Sequence, residues 1–207
     1  MIAHYLERID NQLRRSKSNR HEPLLQEIAS FVVEELNDGR RAKLHFICTH
    51  NSRRSQFAQA WCALVQGWMN LDAADCYSVG TEVTACNERT IAALERAGCS
   101  IDINRENIGN PVYTVSARDT DMNLRLWSKQ YNDDSTPDKN FAAVMTCDHA
   151  DANCPYIPGA LHRFPLTYTD PKYADDKEME EAAYDNTCNM IAADMIRLFR
   201  IVEALTT

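Results

Sequence analysis

The chain has 207 residues, with 22 lysines and arginines against 30 aspartates and glutamates, and a formal net charge of −8. This length predicts one domain with appendages, which buries about two-thirds of its unfolded surface. The acidic balance opposes binding to a phosphate backbone, so nucleic acid is not an expected partner. The sequence has neither the roughly 20 apolar residues of a membrane span nor the apolar core of a secretory signal. We therefore expect a cytoplasmic protein that does not bind membranes.

Two helices are predicted before the first strand. Apolar residues at three- and four-residue spacing predict a helix over 22–38 that ends near Gly39, and a shorter helix is predicted over 3–16. The compact apolar run LHFIC at 44–48 then predicts a strand. Helical spacing returns over 55–69. Residues 48–54 are therefore predicted to form a turn between a strand and a helix.

The alternation of strands and helices continues along the chain. Further strands are predicted over 75–81, 141–147 and 162–167, and further helices over 87–98 and 177–205. This alternation indicates a parallel sheet covered on both faces. The predicted fold is an α/β three-layer sandwich with a four-stranded parallel sheet.

The predicted domain occupies residues 41–207, and residues 1–40 are expected to form a helical extension packed on it. Residues 101–140 mix short β-prone runs with a polar tail that contains proline. This composition predicts a loop or hairpin insertion before the third strand.

The stretch CTHNSRRS, residues 48–55, carries the candidate chemistry. A turn between a strand and a helix points backbone N–H groups into one concavity, and the helix dipole adds positive charge, so an oxyanion fits there. Arg54 supplies a planar fork for two anion oxygens, and the same field favours Cys48 as a thiolate nucleophile. Ser55 is expected to donate its hydroxyl to the Cys48 sulfur, and Asn51 to bond the loop's own backbone.

Ordinary structural roles are the alternative for these residues: a buried cysteine at the end of a strand, a turn asparagine and a helix-capping serine. The spacing within residues 48–55 favours the anion site instead. The predicted anion-binding residues are Thr49, His50, Asn51, Ser52, Arg53, Arg54 and Ser55.

The motif Cys48-x5-Arg54-Ser55, with Asn51 inside it, resembles the low-molecular-weight protein tyrosine phosphatase superfamily. Within it, CTHNSRRSQFAQAW and a second block, YSVGTEVTACNERTIAALERAGCSID over 77–102, are most similar to the thioredoxin-coupled arsenate reductases. The similarity covers about residues 42–205.

The superfamily also uses an aspartate before a proline late in the chain, and TYTDPKYAD supplies Asp170 and Pro171. The resemblance implies that Asp170 is a general acid, which gives a proton to the leaving oxygen. On its own, an Asp-Pro pair is usually a loop element.

Cys147 and Cys154 lie in MTCDHADANCP, at the C-terminal end of the third predicted strand, where open α/β sheets bind ligands. An intact helix between them would separate their Cα atoms by about 10.5 Å. A disulfide needs about 4.4 to 6.8 Å, so bonding them requires the segment to bend or unwind. The ordinary alternative is two thiols with no shared role, and zinc is disfavoured by the spacing. His149 between them is interpreted as a solvent-facing loop residue.

The resemblance implies a thiol relay through these cysteines. Cys48 attacks arsenate, Cys147 then attacks the Cys48 sulfur and releases arsenite, and Cys154 takes over Cys147. Thioredoxin would reduce the resulting 147/154 disulfide. No cofactor or metal is expected.

The sequence departs from the family pattern at three positions. His50 stands where the family commonly has glycine, and Arg53 replaces a small or apolar residue. Gln59 stands where relatives often have glutamate, which puts a potassium site known in some members in doubt. The other cysteines are interpreted as structural: Cys62, Cys76, Cys86, Cys99 and Cys188.

The expected function is therefore reduction of arsenate by a cysteine nucleophile with a thioredoxin-regenerated relay. The first alternative is a low-molecular-weight protein tyrosine phosphatase, which hydrolyses phosphate monoesters through a phosphocysteine and does not use the second cysteine pair. The other alternative is a non-catalytic phosphate-binding module whose insertion engages a protein partner.

Overall fold

The computed structural model describes residues 1–15, 20–118, 120–153 and 156–206, without the side chains of residues 120, 121 and 153. Cys154 therefore lies outside the described residues. The helices are α1 (Ile2–Leu13), α2 (Glu22–Asn37), α3 (Arg54–Met69), α4 (Glu88–Arg96), α5 (Asp148–Asn153) and α6 (Glu180–Thr206). The strands are β1 (Ala42–Cys48), β2 (Ala74–Gly80), β3 (Ser100–Asn104), β4 (Val112–Ala117), β5 (Thr120–Leu126), β6 (Phe141–Met145) and β7 (Ala160–Phe164).

A four-stranded parallel sheet forms the centre of the fold, in the order β2-β1-β6-β7. The predicted α/β fold with this sheet is confirmed. Strand β1 is buried almost throughout, as expected for a central parallel strand with a continuous apolar run. Alternate side chains enter two cores: Leu44 and Phe46 join the larger one with α2, α3 and α6, and Ile47 joins a smaller cluster near α5.

The insertion contains more structure than a loop or hairpin, so that prediction is wrong in extent. Strands β3, β4 and β5 form a second, antiparallel sheet, and β5 packs against α3. Tyr113, Val115 and Ala117 face the core from β4, while polar residues alternate with them. Residues 127–140 then return to the parallel sheet as a loop.

The N-terminal helices pack on the C-terminal helix. Both α1 and α2 contact α6, and Tyr5 stacks on Trp61 of α3 with ring centroids 5.3 Å apart. At the start of α2, the His21 Nδ1 atom lies 2.6 Å from the Asp194 carboxylate, which also accepts a hydrogen bond from the Tyr168 hydroxyl. The extension is therefore tied to the segment that leads to Asp170.

The cysteines outside the candidate relay have structural positions. Cys62 of α3 and Cys76 of β2 form a disulfide. Burial raises the pKa values of Cys86, Cys99 and Cys188 to about 12. Among the helices of the described ranges, none is long and apolar enough to span a membrane.

Candidate active site

The loop between β1 and α3, residues 49–53, is called the anion loop here. Its carbonyl oxygens are bonded to surrounding segments: Thr49 O accepts from Glu82 N at 2.9 Å, and Ser52 O accepts from Asn87 N at 2.9 Å. The His50 carbonyl accepts from the Ser128 hydroxyl at 2.9 Å. Within the described part of the chain, the N–H groups of residues 50–53 donate to no protein acceptor. These donors are therefore available to an anion.

The loop contains backbone that few residues adopt. Asn51 has a φ of +45°, in the left-handed region that asparagine tolerates. Gly80, at the end of β2, lies so close that a Cβ there would approach the Asn51 nitrogen and the Thr49 oxygen to 2.8 Å. Glycine at position 80 is therefore needed for β2 to close against the anion loop.

Cys48 is 4% exposed and lies at the C-terminal end of β1. Its sulfur is 3.1 Å from the Ser55 hydroxyl oxygen, which accepts a hydrogen bond from Asn51 Nδ2 at 2.8 Å. Because Ser55 already accepts from Asn51, its own proton is directed towards the sulfur, which favours a thiolate. The predicted Ser55 contact is present, whereas the prediction for Asn51 is wrong: its side chain bonds Ser55 and the backbone N–H of Lys129.

Arg54 is the first residue of α3 and connects the anion loop to the Asp170 segment. Its guanidinium donates to the Tyr168 carbonyl at 2.9 Å and to the Asp170 carboxylate at 2.6 Å. Its Nε atom is buried and has no hydrogen-bond partner among the described residues. An oxyanion on the loop would supply the missing acceptor.

Asp170 bridges two arginines rather than one. Arg53 Nε donates to its carboxylate at 2.8 Å, opposite the contact from Arg54. Burial alone would raise the pKa of Asp170, but the charge of Arg54 and the hydrogen bond and charge of Arg53 outweigh it and lower the pKa. Asp170 is thus a carboxylate at neutral pH in this state.

The space between Cys48, the anion loop and Asp170 is about 10 Å³. That volume holds about one water molecule and no tetrahedral oxyanion. The Asp170 carboxylate also accepts the hydrogen bond that the Nη2 atom of Arg54 would donate to an oxyanion. A bound oxyanion would therefore have to displace Asp170 from Arg54.

Cys147 lies beside the anion loop, just after β6, with no exposed surface. Its sulfur is 3.7 Å from the Thr49 hydroxyl, which is also 3.2 Å from His149 Nδ1. The Ala150 N–H donates to the same sulfur at 3.3 Å. The structure thus places Cys147 in one buried cluster with Cys48 and in contact with Thr49 of the anion loop. His149 is exposed to solvent, as the sequence indicated, but it lies in α5 rather than in a loop, and it contacts Thr49.

A family model described as low molecular weight phosphotyrosine protein phosphatase matches residues 43–206. The chain belongs to this family. Its N-terminal helices α1 and α2 lie before the matched region. The family resemblance predicted from the CTHNSRRS motif is thereby confirmed.

Curated relatives of this family member include arsenate reductases. Arsenate reductase 2 of Staphylococcus epidermidis is 28% identical over 128 residues, covering 62% of this chain and 77% of the relative. An arsenate reductase of Bacillus cereus is 29% identical over 128 residues, covering 62% of this chain and 75% of the relative.

The fold is also found among solved structures. A low molecular weight phosphotyrosine phosphatase from Vibrio cholerae O395 has a TM-score of 0.53 at 15% identity, covering 80% of this chain and 99% of the other. The named relatives and this structural neighbour are enzymes of the same family.

Sequence reasoning missed the segment that supports the anion loop from behind. Residues 127–130 bond Asn51, His50 and Gly80 through backbone and side-chain atoms. The Trp127 carbonyl accepts from Gln56, which also donates to the Asn51 carbonyl at 2.7 Å. The only sequence signal was a short polar stretch, WSKQ, between β-prone runs.

Within the described ranges, no group of three or more His, Cys, Asp or Glu residues is arranged to hold a metal ion. Gln59, whose identity put a potassium site in doubt, accepts a hydrogen bond from the Ser78 hydroxyl at 2.6 Å.

Proposed function

We propose that this protein reduces arsenate to arsenite through Cys48, Cys147 and Cys154, with thioredoxin as the final reductant. The observation that carries the proposal is the position of Cys147. Cys147 is buried in one cluster with Cys48, just after a neighbouring parallel strand, and its sulfur lies 3.7 Å from the hydroxyl of Thr49, the first residue of the anion loop. Hydrolysis of a phosphate ester through a phosphocysteine requires no second thiol. The arsenate reductase names of the curated relatives support the same choice.

The proposed reaction starts on the anion loop. Loop N–H groups and Arg54 bind arsenate, and the Cys48 thiolate forms a sulfur–arsenic bond while one arsenate oxygen leaves as water. Asp170, once displaced from Arg54 by the bound anion, lies beside that negative charge and supplies the proton.

The reduction itself takes two electrons from two thiols. Cys147 attacks the Cys48 sulfur, the sulfur–arsenic bond breaks, and its electron pair leaves with arsenic as arsenite. Cys154 then attacks Cys147 and frees Cys48. A thioredoxin dithiol exchanges with the 147/154 disulfide and restores both thiols.

The test follows arsenate turnover with thioredoxin and thioredoxin reductase. We expect Cys48→Ser, Cys147→Ser and Cys154→Ser each to abolish multiple turnover. Cys99→Ser is the matched control, since Cys99 is a buried thiol outside the site, and it should retain wild-type activity. Protection of Cys48 from iodoacetamide by arsenate in Cys147→Ser shows that the anion loop is still folded. Full turnover by Cys147→Ser would overturn the relay.

A second candidate function, hydrolysis of phosphate monoesters, is favoured by the contact of Asp170 with Arg54 beside Cys48. In this reaction Cys48 is the nucleophile and Asp170 the acid, and neither Cys147 nor Cys154 acts, so Cys147→Ser and Cys154→Ser would leave aryl phosphate hydrolysis unchanged. Phosphate binding without either reaction would instead indicate a binding module. We also propose that this protein acts in the cytoplasm, where thioredoxin would reduce the 147/154 disulfide after each turnover.

A further inference from the structure

A cavity of about 540 Å³, called the basic cavity here, opens beside the anion loop. It shares His50, Ser52 and Arg53 with the small space over Cys48. The start of α4 and the turn between β3 and β4 form its other walls, so the insertion contributes directly to it. Its volume lies in the range of ligand pockets and is far larger than an arsenate or phosphate ion requires.

The basic cavity is positively charged although the whole chain carries −8. Its lining contains one carboxylate, Glu88, and four cationic side chains, which are Arg53, Arg89, Arg105 and Lys172. A concentration of one charge sign against the overall balance attracts a ligand of the opposite sign. The expected ligand is therefore anionic.

Two of these cations are not neutralised by the protein. Arg89 pairs with Asp176 and Glu180, and Arg53 pairs with Asp170. Arg105 and Lys172 have no ion pair with any residue in the described ranges. Arg105 belongs to the turn of the insertion, and Lys172 follows Asp170 by two residues, so they approach the basic cavity from different segments.

The same wall also offers apolar surface. Ile108 is 88% exposed, and it lines the basic cavity together with Pro111. A free oxyanion gains nothing from such contacts. A ligand with an organic body gains apolar burial on this wall as well as charge pairing.

We propose that the basic cavity binds acidic residues flanking a phosphorylated side chain of a protein substrate, while the phosphoryl group occupies the anion loop. The inference rests on the second candidate function and names its substrate class. The Cys48 sulfur bonds to phosphorus, the bond from phosphorus to the side-chain oxygen breaks, and that oxygen takes a proton from Asp170. Water then cleaves the sulfur–phosphorus bond and releases inorganic phosphate.

The experiment compares a phosphopeptide flanked by glutamates with the same peptide flanked by glutamines. We expect the wild type to prefer the acidic peptide. Arg105→Gln and Lys172→Gln should each lower kcat/KM for it by up to about fivefold, the upper end for one solvent-accessible ion pair, while aryl phosphate hydrolysis stays within twofold. Arg118→Gln and Lys139→Gln remove exposed charges outside the basic cavity and serve as matched controls.

A binding measurement distinguishes failure of the second candidate function from failure of the proposal for the basic cavity. In Cys48→Ser, which cannot turn over, calorimetry should show tighter binding of the acidic peptide, and adding Arg105→Gln should reduce that preference. If the wild type hydrolyses no phosphate ester, the second candidate function is wrong. The calorimetry still shows whether the basic cavity binds acidic residues. Equal binding of both peptides, or the same Arg105 dependence for inorganic triphosphate, would overturn the proposal.

Discussion

Asp170 lies between the guanidinium groups of Arg53 and Arg54, and this arrangement makes it a poor acid until a substrate anion binds. The two arginines hold its pKa below the ordinary value. An incoming dianion competes for Arg54 and places negative charge beside the carboxylate, which favours its protonated form. Arg53, which also donates to the Asp170 carboxylate, opposes that change.

Replacing Arg53 tests this balance. In Arg53→Leu the Asp170 carboxylate loses one neighbouring cation, so the pKa of Asp170 rises. Because Asp170 must be protonated to act as the acid, the decline of phosphatase activity at high pH then begins at a higher pH. We expect kcat at pH 7 to rise severalfold for phenyl phosphate, whose leaving group needs a proton, and much less for 4-nitrophenyl phosphate. Steady-state pH profiles of both substrates measure the effect. A decline that begins at an unchanged pH would show that Arg53 does not control Asp170.

Helix α5 fills the interval between Cys147 and Cys154. A helix rises about 1.5 Å per residue, so seven positions of intact helix would separate two Cα atoms by about 10.5 Å, more than a disulfide allows. Formation of a 147/154 disulfide therefore requires α5 to unwind.

A glycine in this helix tests the requirement. Ala152→Gly, at an exposed position of α5, lowers helix stability by about 1 kcal/mol and is expected to speed disulfide formation up to fivefold. Ala182→Gly, exposed on α6, is the matched control. Hydrogen exchange of amides 148–153 should accelerate on oxidation. Protection that is equal in the dithiol and disulfide forms would contradict unwinding.

The elements that sequence predicts well are those with one uninterrupted pattern. Strand β6 is a continuous apolar run and β1 is mostly apolar, and the anion site could be predicted because Cys48 to Ser55 follow one another in the sequence. The pairing of Arg53 with Asp170 joins residues 117 positions apart, and local spacing carries no information about it. The insertion sheet was missed because its strands are short and half polar, and their stability comes from packing on α3.

In the molecule as a whole, the N-terminal helices α1 and α2 precede the family domain, and the start of α2 contacts the part of the domain that leads to Asp170. Through Asp194, His21 of the extension is linked to Tyr168, whose carbonyl accepts from Arg54. The extension thus helps to fix the segment that carries Asp170.

Acid stability of the molecule depends on His45, a fully buried residue of β1 that stacks on Phe141 with ring centroids 4.0 Å apart. Burial, with the charges of Lys129 and Lys43, lowers the pKa of His45 to about 3. His45 is protonated below about pH 6.5 in the unfolded chain but stays neutral in the folded chain until about pH 3. Folding stability therefore falls as the pH drops from 6.5 towards 3.

The size of this effect is about 3 kcal/mol between pH 7 and pH 4. We expect His45→Leu to remove that part of the pH dependence, whatever its effect on stability at pH 7. Urea unfolding at both pH values measures the difference. An identical loss in the wild type and in His45→Leu would show that other groups govern acid unfolding.

Cooperation between Cys48 and Cys147 can be measured by mapping the disulfides that form in a single turnover. Reduced Cys154→Ser protein receives one equivalent of arsenate without thioredoxin, free thiols are alkylated, and the linked peptides are identified by mass spectrometry. We predict one arsenite released for each disulfide formed between Cys48 and Cys147. Arsenite release with both thiols still open to alkylation, or a folded protein that binds arsenate and forms no such disulfide, would contradict this cooperation.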